Sequence, residues 1–227
     1  MVTKKSQSKT GDSTALSYAK VMQELRAGVL RPLYLLYGEE EYLSQHVLQT
    51  ILGLALNPAA KSLDGRQLDA QSKPSQLSFS QLAQELKTPA FMSPKRVLII
   101  RDSALFTSAG SSYVESAAQL LDAVNPYAVL VFFEAKVEKR NRKLLQEIDK
   151  KGARVETSAE DLPTLLNWSK KYLQRYGIQI SGDAAESLAE RCGRSMQQMR
   201  MELAKLSLAA RGSGRTMIDE AYINEVC

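Results

Sequence analysis

The stretch AVLVFF, Ala128 to Phe133, is the strongest constraint on what this chain can fold into. Alternate side chains of a strand leave opposite faces of a sheet, so six apolar residues in a row require both faces to be covered. Val97, Leu98, Ile99 and Ile100 repeat the pattern inside Arg96 to Arg101. Between these runs the apolar residues change to helical spacing: Phe79, Leu82, Ala83 and Leu86 end before Pro89, and Tyr113 to Val124 fits a further helix. Parallel strands need crossover helices, so this alternation predicts an α/β fold built on a doubly wound parallel sheet.

Five strands fall between residues 31 and 157: the run Leu33 to Tyr37, a weaker one within Lys61 to Ala70, Arg96 to Arg101, Ala128 to Phe133, and a short last one from Ala153 to Thr157. A first helix carries Tyr18, Val21, Met22 and Leu25 and closes at Gly28. A second spans Tyr42 to Leu54, and a charged one runs from about Lys139 to Lys151 and stops at Gly152. From Ser158 the pattern is helical only. Asp161 precedes a stripe of Leu162, Leu165, Leu166, Ser169, Tyr172, Leu173 and Tyr176, with Lys170, Lys171 and Arg175 opposite. Asp183 with Glu186, and Ser195 with Gln198, fit capping boxes for two more helices, the last carrying Met196, Met199, Leu203, Leu206 and Ala210. The expected organisation is a polar basic tail over residues 1–14 without stable structure, an α/β domain over 15–157, and a three-helix domain over 158–227.

The charge of +5 invites a nucleic-acid reading, but it is unevenly placed. Residues 1–31 hold Lys4, Lys5, Lys9, Lys20, Arg26 and Arg31 against Asp12 and Glu24, which leaves the body of the chain near neutrality. No run reaches the roughly 18 apolar residues of a membrane span, and the N-terminus lacks the apolar core of a secretory signal, so a cytoplasmic protein is expected. Two cysteines, Cys192 and Cys227, and one histidine, His46, suggest neither a disulfide framework nor a zinc site.

The first strand ends at Gly38 and hands over to a helix, which is how a phosphate-binding βα unit begins. Such a loop needs glycines for close backbone approach, a lysine for the β and γ oxygens and a hydroxyl for magnesium. Here Glu39, Glu40 and Glu41 follow Gly38. Three carboxylates at a helix N-terminus face its positive dipole end, so acidic capping is the preferred account. At the end of the third strand, where magnesium would want adjacent acids, stand Arg101 and Asp102.

The succession LYLLYGEEEYL, TPAFMSPKRVLIIRD, VLVFFEAKVEKRNRKLL with GARVE, LNWSKKYLQRYGIQIS and CGRSMQQMRMELAKLSL resembles the delta subunit of the bacterial DNA polymerase III clamp loader. The resemblance runs in unbroken order from about Arg31 to Ala210. Each motif is short and mostly apolar; the order and spacing carry the similarity. It implies an AAA+-like, P-loop-type domain with a five-stranded parallel sheet and a degenerate phosphate loop, then a small three-helix lid, then a collar domain that would begin beyond Cys227. It further implies a non-catalytic subunit, without cofactor or metal, that binds and opens the sliding clamp (the beta subunit) for loading onto primed DNA. Its other partners would be the gamma/tau ATPase subunits and delta prime, and polymerase activity would belong to the holoenzyme.

In the family the clamp is gripped by an exposed apolar pair at a helix end, which matches Ala90 and Phe91 with Met92 beside them. On spacing alone Phe91 reads as a core residue; the resemblance reverses that, and Pro89 and Pro94 would hold the turn rigid. Ala90 departs from the larger residue usual there, which shifts the contact toward Phe91 and Met92. The basic stretch of Lys136, Lys139, Arg140, Arg142 and Lys143 reads first as a solvated helix face over Leu144, Leu145 and Ile148, and second as a contact to DNA phosphates or a partner. Met196 and Trp168 are expected in the core. Two alternative functions stand beside the main one: a P-loop-like NTPase with an atypical nucleotide site, and a stand-alone DNA-binding protein.

Overall fold

The computed structural model describes residues 15–138 and 142–227. The tail expected over residues 1–14 therefore lies outside the described residues, as do Lys139 and Arg140. The chain divides between Thr157 and Ser158 into two compact units.

In chain order the first unit contains β1 (Leu16–Ser17), α1 (Tyr18–Arg26), β2 (Leu33–Gly38), α2 (Glu41–Ala55), α3 (Lys61–Asp64), β3 (Gly65–Asp69), α4 (Phe79–Lys87), β4 (Arg96–Arg101), α5 (Val114–Asp122), β5 (Ala128–Glu134), α6 (Arg142–Lys151) and β6 (Ala153–Thr157). The sheet has the order β1-β6-β2-β5-β4-β3, and every pairing is parallel. The five strands expected between residues 31 and 157 are there. A sixth, β1, adds to the edge beside β6 and corrects the five-stranded expectation. It is two residues long, too short to show any alternation, and Ser17 then serves as the N-cap of α1. The segment from Lys61 also divides, its first four residues forming the single turn α3.

The unbroken apolar runs are explained by two separate cores. Leu33, Leu35, Leu98, Ile100, Leu130 and Phe132 meet Leu82, Leu86, Leu120, Leu121, Leu144 and Ile148 from α4, α5 and α6 on one face. Tyr34, Leu36, Val97, Ile99, Val129 and Val131 meet Val21, Leu25, Val47, Leu48 and Ile51 from α1 and α2 on the other. Gly38 ends β2 at φ +135, where a Cβ would collide with the carbonyl of Thr157 on β6, so only glycine permits this close strand exit.

The second unit contains α7 (Leu162–Gln174), β7 (Gln179–Ile180), α8 (Gly182–Arg191), α9 (Met196–Gly212), β8 (Met217–Ile218) and α10 (Glu220–Val226). Two expectations are corrected here. The unit is not helical only, because β7 and β8 pair in parallel, and its described residues form a fourth helix, α10, which buries Tyr222 and Ile223. Neither strand exceeds two residues, and α10 has seven, so neither carries a readable period. The cap of α8 is Ser181 rather than Asp183: the Ser181 Oγ accepts from the Ala184 N–H at 3.2 Å, and the helix starts at Gly182.

Phe132 is fully buried and meets Phe106 edge to face at 5.1 Å. Phe132→Ala should lower the unfolding free energy by about 3–5 kcal/mol, through lost apolar burial and the cavity left behind, as measured by urea denaturation.

Candidate functional site

Two places in the first unit gather polar chemistry, and they lie at opposite ends of the strands. The first is the turn between α4 and β4. Pro89 stops the helix, Ala90 is half-buried, and Phe91 and Met92 are 77% and 56% exposed. The backbone under them is held by Asp64, the last residue of α3, which is itself fully buried. Its carboxylate accepts from three successive backbone N–H groups: Phe91 at 2.5 Å, Met92 at 2.9 Å and Ser93 at 2.9 Å. These bonds, with that of the Phe91 N–H the largest, hold the Asp64 carboxyl down at about 2 against the opposing effect of burial.

Arg96, the first residue of β4, closes the turn from the other side. Its guanidinium donates to the carbonyls of Thr88 at 3.0 Å, Pro89 at 3.2 Å and Leu63 at 3.4 Å, and stands 3.8 Å from the Asp64 carboxylate. The Ser93 Oγ accepts from the Asn57 N–H at 3.0 Å. Leu63, next to Asp64, is a further exposed apolar side chain at 58%. Phe91, a core residue on sequence alone and an exposed one by the family resemblance, is exposed; Asp64, Arg96 and Leu63 were not singled out from the sequence. An Asp before Gly65 reads as an ordinary turn signal, and nothing local says that its carboxylate serves a loop 27 residues away.

The second place is a cavity of about 410 Å³ at the C-terminal ends of the strands, lined by Gly38, Glu39, Glu41, Ser44, Arg101, Asp102, Phe133, Glu134 and Ala135. Glu40, at the N-cap of α2, accepts from the Tyr42 N–H at 3.2 Å, and the Ser44 hydroxyl bonds the Thr157 hydroxyl at 2.8 Å. Arg101 lies over the Phe133 ring at 4.0 Å and donates to Gln45 at 2.5 Å.

Glu134, buried at the end of β5, accepts from the Ser103 N–H at 3.1 Å, from the Ser103 hydroxyl, and from the Ala104 N–H at 3.3 Å. It thereby fixes a loop in which Asp102 and Ala104 both take left-handed backbone angles. Burial outweighs these bonds and, with repulsion from Asp102, pushes the Glu134 carboxyl up to about 7. Glu134 was not singled out from the sequence, although a lone acid closing an apolar strand was a readable signal.

Of the expected basic stretch, the described members Lys136, Arg142 and Lys143 are exposed, and Lys143 pairs with Glu115 at 2.7 Å. Met196 is buried, whereas Trp168 is only half-buried, which corrects the core expectation. Among the described residues no helix is long and apolar enough to cross a membrane.

The model of the family "DNA polymerase III, delta subunit" matches residues 34–158. Among solved structures the chain is similar to the Bacillus subtilis DNA clamp loader delta protein YqeN, at TM-score 0.64 and 20% identity over 92% of this chain and 62% of that one. It is similar to the Thermotoga maritima Holliday junction branch migration motor RuvB, at TM-score 0.55 and 14% identity over 92% of this chain and 66% of that one. It is also similar to domain III of the Thermotoga maritima replication initiation protein DnaA, at TM-score 0.54 and 12% identity over 92% and 88%. At these identities the structural likeness speaks for the fold. The chain spans less than two thirds of the delta protein it resembles. None of the curated proteins matches it.

A carboxyl raised in the folded state stabilises that state fully below its ordinary value of 4.5, and the contribution is lost as the pH rises through about 7. Urea unfolding of the parent chain should therefore lose on the order of 3 kcal/mol between about pH 5 and about pH 8, relative to Glu134→Gln, which cannot titrate. A constant difference between the two proteins over that range would mean that Glu134 ionises like a surface carboxylate.

Proposed function

Because the chain belongs to the DNA polymerase III delta subunit family, we propose that it is the clamp-gripping, non-catalytic member of a clamp loader, binding and opening the sliding clamp for loading onto primed DNA. The observation that carries this reading is the rigid turn that presents Phe91 and Met92 to solvent. A backbone locked on both sides removes the entropy that a flexible loop would lose on binding. An aromatic anchor held in this way is suited to enter an apolar pocket on a partner and dominate the interface. Ala90, half-buried behind the pair, contributes little area, so Phe91 and Met92 carry the contact.

The cavity at the other end of the strands supports the absence of catalysis. Glu39, Glu41, Asp102 and Glu134 line it against a single cation, Arg101, a balance that disfavours a polyphosphate. The nucleotide cycle would then be supplied by the gamma/tau subunits, with delta prime completing the ring, in the cytoplasm where replication proceeds. Any contact with primed DNA through Lys136, Lys139, Arg140, Arg142 and Lys143 is secondary to the clamp contact.

Surface-plasmon measurements with the purified sliding clamp of the same organism test the reading. Phe91→Ala should weaken binding by roughly 30-fold or more with unchanged circular dichroism. Asp64→Asn, which removes the charge that holds the three N–H groups, should weaken it by roughly 10-fold although residue 64 is buried and touches no partner. No clamp binding by the parent chain, or micromolar affinity for fluorescent ATP, would overturn the proposal.

A further inference from the structure

We infer that the partner surface extends beyond the Phe91 turn to Tyr127 and is framed by lysines, so that it fits a protein whose apolar pocket has an acidic rim. The inference rests on the clamp-binding reading and names the chemistry that the partner's pocket must have. In the first unit the large apolar side chains left exposed among the described residues are Val29, Leu54, Leu63, Phe91, Met92 and Tyr127. All of them stand at the end of the sheet where the strands begin. Val29 precedes β2, Leu63 precedes β3, Phe91 and Met92 precede β4, Tyr127 precedes β5, and Leu54 lies where α2 returns from the far end. The opposite end, which holds the cavity, exposes none among the described residues.

Tyr127, 72% exposed, is held by its backbone as Phe91 is. Its N–H donates to the Asn125 Oδ1 at 2.9 Å, its carbonyl accepts from the Arg96 N–H at 3.0 Å, and the Asn125 amide donates to the carbonyl of Leu86 at 2.9 Å. Arg96 thereby joins the two loops, since its guanidinium holds the carbonyls of Thr88 and Pro89 ahead of Phe91. Lys95 joins them again, its ammonium donating to the carbonyl of Pro126 at 2.5 Å. Two aromatic side chains on loops tied to the same strand entry form a preorganised pair of anchors.

The charges around this surface have one sign. Lys61 and Lys87 are exposed, two residues before Leu63 and Pro89, and Lys95 is fixed between the two loops. None of these lysines forms an ion pair with a described carboxylate. The acids nearby are already engaged: Asp64 is buried under the turn, Glu85 pairs with Arg66 at 2.7 Å, and Asp122 pairs with Lys151 at 2.5 Å. A symmetric pair of copies would bring these lysines against one another, which disfavours self-association. A fluid lipid surface needs no fixed anchors, so the two tied loops point to a folded protein. A pocket that is apolar inside and acidic at its rim satisfies both the anchors and the frame.

Surface-plasmon kinetics with the full chain and the purified sliding clamp test this. Tyr127→Ala should weaken binding by roughly 5-fold or more, while Tyr127→Phe retains it. Lys61→Gln with Lys87→Gln should slow association by roughly 3- to 10-fold at low salt, leave dissociation near that of the parent, and lose its effect at about 1 M salt. Circular dichroism checks that each variant folds. If Phe91→Ala abolishes binding while Tyr127→Ala and the double lysine variant bind as the parent does, the inference falls and the clamp reading stands. If the parent does not bind the clamp, both fall. Tyr127-dependent binding to vesicles with anionic headgroups, or a dimer of the parent that Tyr127→Ala dissociates, would give the surface to another occupant and overturn the inference.

Discussion

Parallel pairing of β3 with β4 is the constraint on which both polar sites depend. In a parallel ladder the residues that enter neighbouring strands arrive at the same edge. Gly65 pairs with Val97, so the residues just before them, Asp64 on one side and the turn from Pro89 to Arg96 on the other, are brought together. The carboxylate does not search for the N–H groups of Phe91, Met92 and Ser93; the register of the sheet delivers them. An antiparallel pair would place these segments at opposite ends of the strands, and the turn would have no buried acceptor.

The same parallelism sends the other strand ends, with Gly38, Arg101 and Glu134, to the opposite edge. A six-residue strand such as β4 separates the two edges by roughly 20 Å. Two buried carboxylates mark them, and their chemistry diverges for a physical reason. Asp64 receives three backbone N–H bonds and stays ionised to about 2. Glu134 shares two N–H groups and a hydroxyl between its oxygens, has Asp102 nearby, and rises to about 7. At Asp64 the backbone bonds, that of the Phe91 N–H first, outweigh burial, whereas at Glu134 burial outweighs the donors, and that balance decides the sign in each case. One edge therefore holds a fixed anion that shapes a loop across the physiological range, and the other holds a group whose charge varies within it.

What was legible in the sequence follows the same logic. Runs buried on both faces announced β2, β4 and β5 because burial acts on every residue of such a strand. The Tyr42 to Leu54 helix and the Phe79 to Leu86 helix were visible because a long period is over-determined. Elements of two residues, β1, β7 and β8, were not, since their existence is decided by a partner strand far away in the chain. Phe91 became a candidate only through the family resemblance, since an aromatic between two prolines reads locally as core, and Asp64 was not legible at all. A side chain that works by reaching another segment leaves no local pattern.

The acids of Glu39 to Glu41 are compatible with the fold because Glu40 caps α2 and Glu41 sits in its first turn, where the helix dipole favours negative charge. The Glu40 carboxylate accepts from the Tyr42 N–H, so one of the open donors of this helix end is satisfied by the chain itself. At the opposite edge of the sheet Asp64 and Arg96 fix the turn by contacts of their own.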